Sequence, residues 1–93
     1  MSKVTVRVII EGRVQGVWFR GWTVKCAIDL GLAGWVRNRR EGSVEAVFCG
    51  EQSKVNKMIE KSYQGPSAAS VVRVNVKYEK IFVQPSFKQL PTV

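Results

Sequence analysis

The chain opens on a strict alternation. Val4, Val6, Val8 and Ile10 fall on one side and Thr5, Arg7 and Glu11 on the other, the two-residue period of a half-buried strand. That period breaks at Gly12-Arg-Val-Gln-Gly-Val-Trp-Phe-Arg20, a segment punctuated by glycine. From about Arg20 to Leu30 the apolar spacing becomes helical, with Thr23, Ala27 and Leu30 on one stripe, Val24 and Ile28 flanking it, and Gly31 as the stop. Gly34 to Asn38 predicts a second strand, and Arg39-Arg-Glu-Gly42 a hairpin turn with Gly42 suited to a positive φ. Ser43 to Cys49 follows as a third strand, with Val44, Ala46 and Phe48 inward and Gly50 at its end. Ser53 is placed to cap a second helix whose stripe is Val55, Met58 and Ile59, and Gly65-Pro66 closes it. Ser70 to Glu79 alternates again, with Val72, Val74, Val76 and Tyr78 on one face. After Pro85 there is room for a short edge strand from Phe87 to Leu90.

The order is β-α-β-β-α-β. It predicts an α+β, ferredoxin-like two-layer sandwich, with two helices on one face of an antiparallel sheet and a short C-terminal strand at its edge. No repeat, low-complexity tract or linker interrupts the 93 residues, so residues 1–93 read as one domain. A right-handed crossover makes the second strand parallel to the first. Asn38, at the far end of the second strand, therefore arrives beside the glycine-punctuated loop.

Composition narrows the chemistry. At 45% hydrophobic and 24% charged the chain is globular, and no apolar run approaches the roughly 20 residues of a membrane span. Met1 to Val4 leads straight into the strand pattern without an apolar leader, which makes the cytoplasm the expected compartment. There is no histidine, which removes serine–histidine triads, phosphohistidine chemistry and most zinc sites. Asp29 is the only aspartate, and neither Cys26 nor Cys49 has an arginine six positions later, as a cysteine phosphatase requires. The two cysteines fall on opposite sides of the sheet and are expected to be free thiols. No metal and no cofactor are expected. The net charge of +8 favours an anionic partner without choosing among nucleic acid, acidic membrane and phosphorylated small molecule.

The loop is the sharpest feature. Gly12 and Gly16 allow successive backbone N–H groups to point into one hollow, and such a nest continued by a helix N-terminus binds anions. Arg20, where loop becomes helix, can add a bidentate grip. Asn38 carries an acceptor and two donors, so it can hold a water without ionising.

Gly12-Arg-Val-Gln-Gly-Val-Trp-Phe-Arg20 resembles the first signature of the acylphosphatase family. Gly34-Trp-Val-Arg-Asn38-Arg-Arg-Glu-Gly42-Ser-Val44, followed by Gly50, resembles the second, and the flanking elements carry the likeness from Val4 to about Glu79. The resemblance implies a small metal-free hydrolase that splits acyl phosphates into carboxylate and inorganic phosphate, the latter also an inhibitor. It implies that Arg20 holds the phosphate and that Asn38 positions the attacking water. Val14, Gln15, Gly16, Val17, Trp18 and Phe19 would form the cradle, with Trp18 setting the width of its mouth. The chemistry suits the residues, because a departing carboxylate with a pKa of about 4 needs no general acid. The expected partner is a small acyl phosphate met by a monomer away from any membrane.

Blander and rival readings stand beside this one. Gly34 and Gly42 serve backbone geometry, Trp22 and Trp35 pack, and Arg37, Arg39 and Arg40 form a solvated turn able to steer anions. An RNA-binding module shares the element order and the charge. It ranks below the hydrolase because Thr5, Arg7 and Ile9 of strand one and Glu45, Val47 and Cys49 of strand three give the outer face no stacking platform. A non-catalytic regulator that keeps the anion pocket is the third reading.

Overall fold

The computed structural model describes residues 2–93; Met1, the start of the expected N-terminal run, lies outside the described residues. The elements are β1 (Lys3–Arg13), α1 (Phe19–Asp29), β2 (Ala33–Asn38), β3 (Val44–Glu51), α2 (Gln52–Gln64), β4 (Ser70–Tyr78) and β5 (Phe87–Gln89). The sheet order is β4-β1-β3-β2-β5. β3 lies between β1 and β2 and is antiparallel to both, so β1 and β2 run the same way and end at the same edge of the sheet. This is the ferredoxin-like α+β arrangement, and it is what delivers Asn38 to the β1–α1 loop.

Alternation decides which side chains meet the helices. Val6, Val8 and Ile10 of β1, Val36 of β2, and Val44, Ala46 and Phe48 of β3 are wholly buried against Phe19 and Ala27 of α1 and Val55 and Met58 of α2. α1 covers β2 and β5, while α2 covers β1, β3 and β4. Ile28 projects from α1 into solvent, and Val24 packs part-buried against the core.

Four sequence expectations need correction. The sheet is mixed rather than antiparallel, because β5 pairs parallel to β2, Gly34 with Phe87 and Val36 with Gln89. Ser53 is not the cap of α2: β3 continues through Gly50 to Glu51, which takes the cap position in extended backbone, and the Ser53 hydroxyl donates to the Glu51 carboxylate. Val72 does not share the inner face of β4. The register between β1 and β4 shifts at Glu11/Gly12, leaving Val72 as the extra residue of a bulge, 76% exposed, and turning Val71 onto the core. Gly12 itself belongs to β1 rather than to the loop. Its φ of 127° and the Ser70 carbonyl oxygen, 2.3 Å from where a Cβ would lie, exclude any other residue at that bulge.

Candidate active site

Five residues, 14–18, join β1 to α1, and two devices fix them. Val14 is buried and Val17 packs part-buried on the core, which anchors the loop from below. Above, the Gln15 side chain leaves the loop and donates from Nε2 to the carbonyl oxygens of Arg39 (2.7 Å) and Ser43 (2.9 Å). Both acceptors are backbone carbonyls, so only the amide nitrogen can make this clamp. It ties the loop to the hairpin that follows Asn38.

The turn into α1 is costly. Trp18 takes left-handed backbone, φ 65° and ψ 24°, the only non-glycine residue to do so among the described residues. For an aromatic residue that conformation costs about 1–2 kcal/mol. No side chain caps the helix start, and the first turn holds no acidic residue, so its positive dipole end faces outward uncompensated.

Arg20 lies in that first turn, half-buried. Arg7, Arg37, Arg39 and Arg73 all have carboxylate partners, whereas Arg20 has none among the described residues. Asn38 is 8% exposed, and its Oδ1 is buried with no hydrogen-bond partner among the described residues. Leaving such an acceptor unmet costs about 1–3 kcal/mol. Both residues line one cavity of about 100 Å³, together with Val14, Gly16, Trp18, Phe19, Gly21 and Gln89. A drug-sized ligand needs roughly 300–1,000 Å³, so this hollow suits a phosphate-sized group and a water.

The loop residues therefore divide. Val14, Gly16, Trp18 and Phe19 line the cavity, while Gln15 and Val17 support it from outside. Gly21 and Gln89 are lining residues that sequence reasoning missed. Gln89 had no signal at all, since it arrives through the parallel pairing of β5 with β2.

Arg37 and Arg39 do not face this cavity. They lie on the opposite face of the sheet around Glu45, which is 3% exposed. Glu45 accepts from Arg7 Nη1 at 2.5 Å, Arg37 Nε at 2.9 Å and Arg39 Nη1 at 3.2 Å. Arg7 Nε also reaches Glu79 at 2.9 Å, and Arg39 Nε reaches Glu41 at 3.1 Å. Burial pushes the Glu45 carboxyl up, but the arginines more than offset this and leave it below the usual 4.5. Trp35 sits on this face too, with the Arg37 guanidinium 4.6 Å and that of Arg7 5.8 Å from its ring centre. The outer face thus has an aromatic platform that strands one and three alone did not reveal, yet it is already covered by arginine.

A family model for acylphosphatase matches residues 6–88. The acylphosphatase of Nitrobacter hamburgensis is 49% identical with all of both chains covered, and that of Rhizorhabdus wittichii is 46% identical over 99% of this chain and 93% of its own. Among solved structures, an acylphosphatase from Coxiella burnetii superposes with a TM-score of 0.91 at 35% identity, covering 95% of this chain and 93% of its own. Likeness in sequence and in fold runs over nearly the whole length, and the chain belongs to the acylphosphatase family.

Proposed function

We propose that this chain, as one domain over residues 1–93, hydrolyses acyl phosphates to a carboxylate and inorganic phosphate without a metal. Family membership supports the reaction class and makes the chain an enzyme. The observation that carries the division of roles is the pairing, in one small cavity, of an arginine without a carboxylate and a buried asparagine oxygen without a donor, both among the described residues. Arg20 and the start of α1 hold the phosphoryl oxygens. Asn38 Oδ1 accepts a hydrogen bond from water and aims its lone pair at phosphorus. The water oxygen bonds to phosphorus as the bond from phosphorus to the acyl oxygen breaks. The carboxylate leaves with that electron pair, and the water's proton passes to a phosphoryl oxygen. Positioning and charge stabilisation suffice for so reactive a substrate, which fits a chain without histidine.

The same reading places the protein in the cytoplasm as a monomer acting on small molecules, with phosphate as product and competitive inhibitor. No described helix is long and apolar enough to cross a membrane. Hydrolysis of benzoyl phosphate in excess EDTA, followed by phosphate release, tests the proposal. Turnover with competitive inhibition by inorganic phosphate is expected. Activity abolished by the chelator and restored by a divalent ion would overturn the metal-free mechanism, and no turnover in either condition would overturn the hydrolase reading.

A further inference from the structure

The cavity accommodates the phosphoryl end of a substrate, so the acyl group must project through its mouth. The largest side chain there is Trp18. It is 64% exposed, although an aromatic ring with nothing to cover is usually turned inward. Its ring is not loose. A Cβ on Gly21 would lie 2.0 Å from the indole Nε1, so the ring rests on the first turn of α1 in the space that a side chain at position 21 would fill. No described aromatic residue pairs with it, since Phe19 pairs with Trp22 and Phe48 with Phe87. The left-handed backbone at Trp18 would be easier for glycine or asparagine, so the ring is held at the mouth despite its own conformational preference. Beyond Arg20, no charged side chain lines the cavity.

We infer that the Trp18 indole is the wall against which the acyl group lies, and that the site selects acyl phosphates whose acyl group is uncharged and aromatic or broadly apolar. The inference rests on the hydrolase reading and deepens it. An aromatic acyl group gains an offset-stacked contact on the indole face, whereas acetyl is too small to use it. An acyl group with a further charge meets a neutral ring and the neutral Gln89 amide, and gains no partner. The contact is the same before and during phosphoryl transfer, so it acts on KM and leaves kcat alone.

The test compares kcat/KM for benzoyl phosphate and acetyl phosphate, in EDTA, in the parent, Trp18→Gly and Trp18→Phe. Comparing this ratio between proteins cancels the different intrinsic reactivities of the two mixed anhydrides. Trp18→Gly removes the ring while keeping a residue at ease in left-handed backbone, and near-UV circular dichroism verifies its fold. The benzoyl-to-acetyl ratio is expected to fall about tenfold in Trp18→Gly, by the usual worth of one stacked ring, with KM for benzoyl phosphate carrying the loss. Trp18→Phe should keep most of the preference and guards against a glycine variant that fails to fold. A ratio within twofold of the parent in the folded variants, or a fall carried by kcat, overturns the inference. A parent that hydrolyses neither acyl phosphate instead refutes the hydrolase reading on which it stands.

Discussion

The two faces of this sheet treat polar groups in opposite ways. On the outer face the carboxylates are answered: Glu45 is shared by Arg7, Arg37 and Arg39, Glu79 takes Arg7 and Glu41 takes Arg39. On the helix face, Arg20 at the start of α1 has no carboxylate and Asn38 Oδ1 at the end of β2 has no donor among the described residues. A satisfied cluster holds the fold together, whereas unsatisfied groups lower stability and are tolerated where a ligand supplies the missing partner. Count of charge is therefore a poor guide to the site. Arg7, Arg37, Arg39 and Arg73 are held by glutamates, and of the arginines without a carboxylate among the described residues, Arg13, Arg20 and Arg40, only Arg20 lines the cavity.

The largest expected effects come from the helix face, and they should fall on activity alone. Arg20→Ala should lower kcat/KM by about a thousandfold and abolish inhibition by phosphate, because it removes a charge-assisted contact in a partly dry site. Asn38→Ala should lower kcat by about a hundredfold or more while phosphate inhibition survives. Neither side chain has a partner to lose among the described residues. Urea unfolding should therefore show Arg20→Ala within about 0.5 kcal/mol of the parent, and Asn38→Ala level with it or about 1 kcal/mol more stable. A loss of 2 kcal/mol or more in either variant would break the contrast.

The outer face should behave inversely. Glu45→Gln is expected to cost about 1–3 kcal/mol, less than a fully enclosed pair because Arg7 and Arg37 retain access to water, while kcat/KM changes less than about threefold. The pH dependence has a definite sign. The carboxyls of Glu45, Glu41 and Glu79 are held low in the folded state: that of Glu45 despite burial, that of Glu41 chiefly by Ser43, and that of Glu79 chiefly by Arg7. Their contribution is complete above the unfolded carboxyl pKa of about 4.3 and is lost as pH falls through the lower folded values. Thermal midpoints should be level from about pH 7 to 5 and fall below about pH 4.3, less steeply in Glu45→Gln. A midpoint that instead falls on raising the pH from 5 to 7 would show that some other group governs stability.

The asymmetry also separates what the sequence could tell from what it could not. Two-residue and helical periods placed β1 to β3 and both helices, because burial of one face writes itself into residue order. Arg20 and Asn38 were legible through topology: β1 and β2 had to end together, whatever their side chains. Hairpins and crossovers are local, but the pairing of β5 with β2 is not, and Gln89 at the cavity could not be foreseen. The β4 bulge was hidden for a similar reason, since an alternating Val72-Val74-Val76 run reads as unbroken until its partner strand is known. The ion-pair cluster depends on register across three strands, so a run of arginines near the loop looked like a solvated turn.

Gln15 couples the two regions, being the link between the loop and the hairpin that also carries Arg37, Arg39 and Glu45. Gln15→Ala removes two hydrogen bonds to backbone and should cost about 1 kcal/mol. It should also cost about tenfold in kcat, since a small displacement of loop against hairpin separates Arg20 from Asn38. Gln15→Glu sharpens the test, because its carboxylate would face two carbonyl oxygens and should be worse than alanine on both counts. Equal stability and equal kcat in both variants would mean that the loop holds its shape unaided.

The smallest effect belongs to the cysteines. Phe48 is buried under the helices, so the alternation of β3 turns Cys49 to the outer face, where it lies between Thr5 and Ala33. Cys26 rides on α1 across the sheet, part-buried against the core, and both thiols are free. Burial, the largest influence on Cys26, raises its thiol pKa, which makes it a poorer nucleophile than an exposed thiol. Neither lines the cavity of Arg20 and Asn38. A Cys26→Ser, Cys49→Ser double variant should therefore keep kcat/KM within about twofold, with a modest loss of stability from placing a hydroxyl at the half-buried position 26. Thiol titration of the unfolded and the native parent should find two free thiols in each. A tenfold loss of activity in the double variant would mean that the outer face reaches the reaction after all, and that the division between the two faces fails.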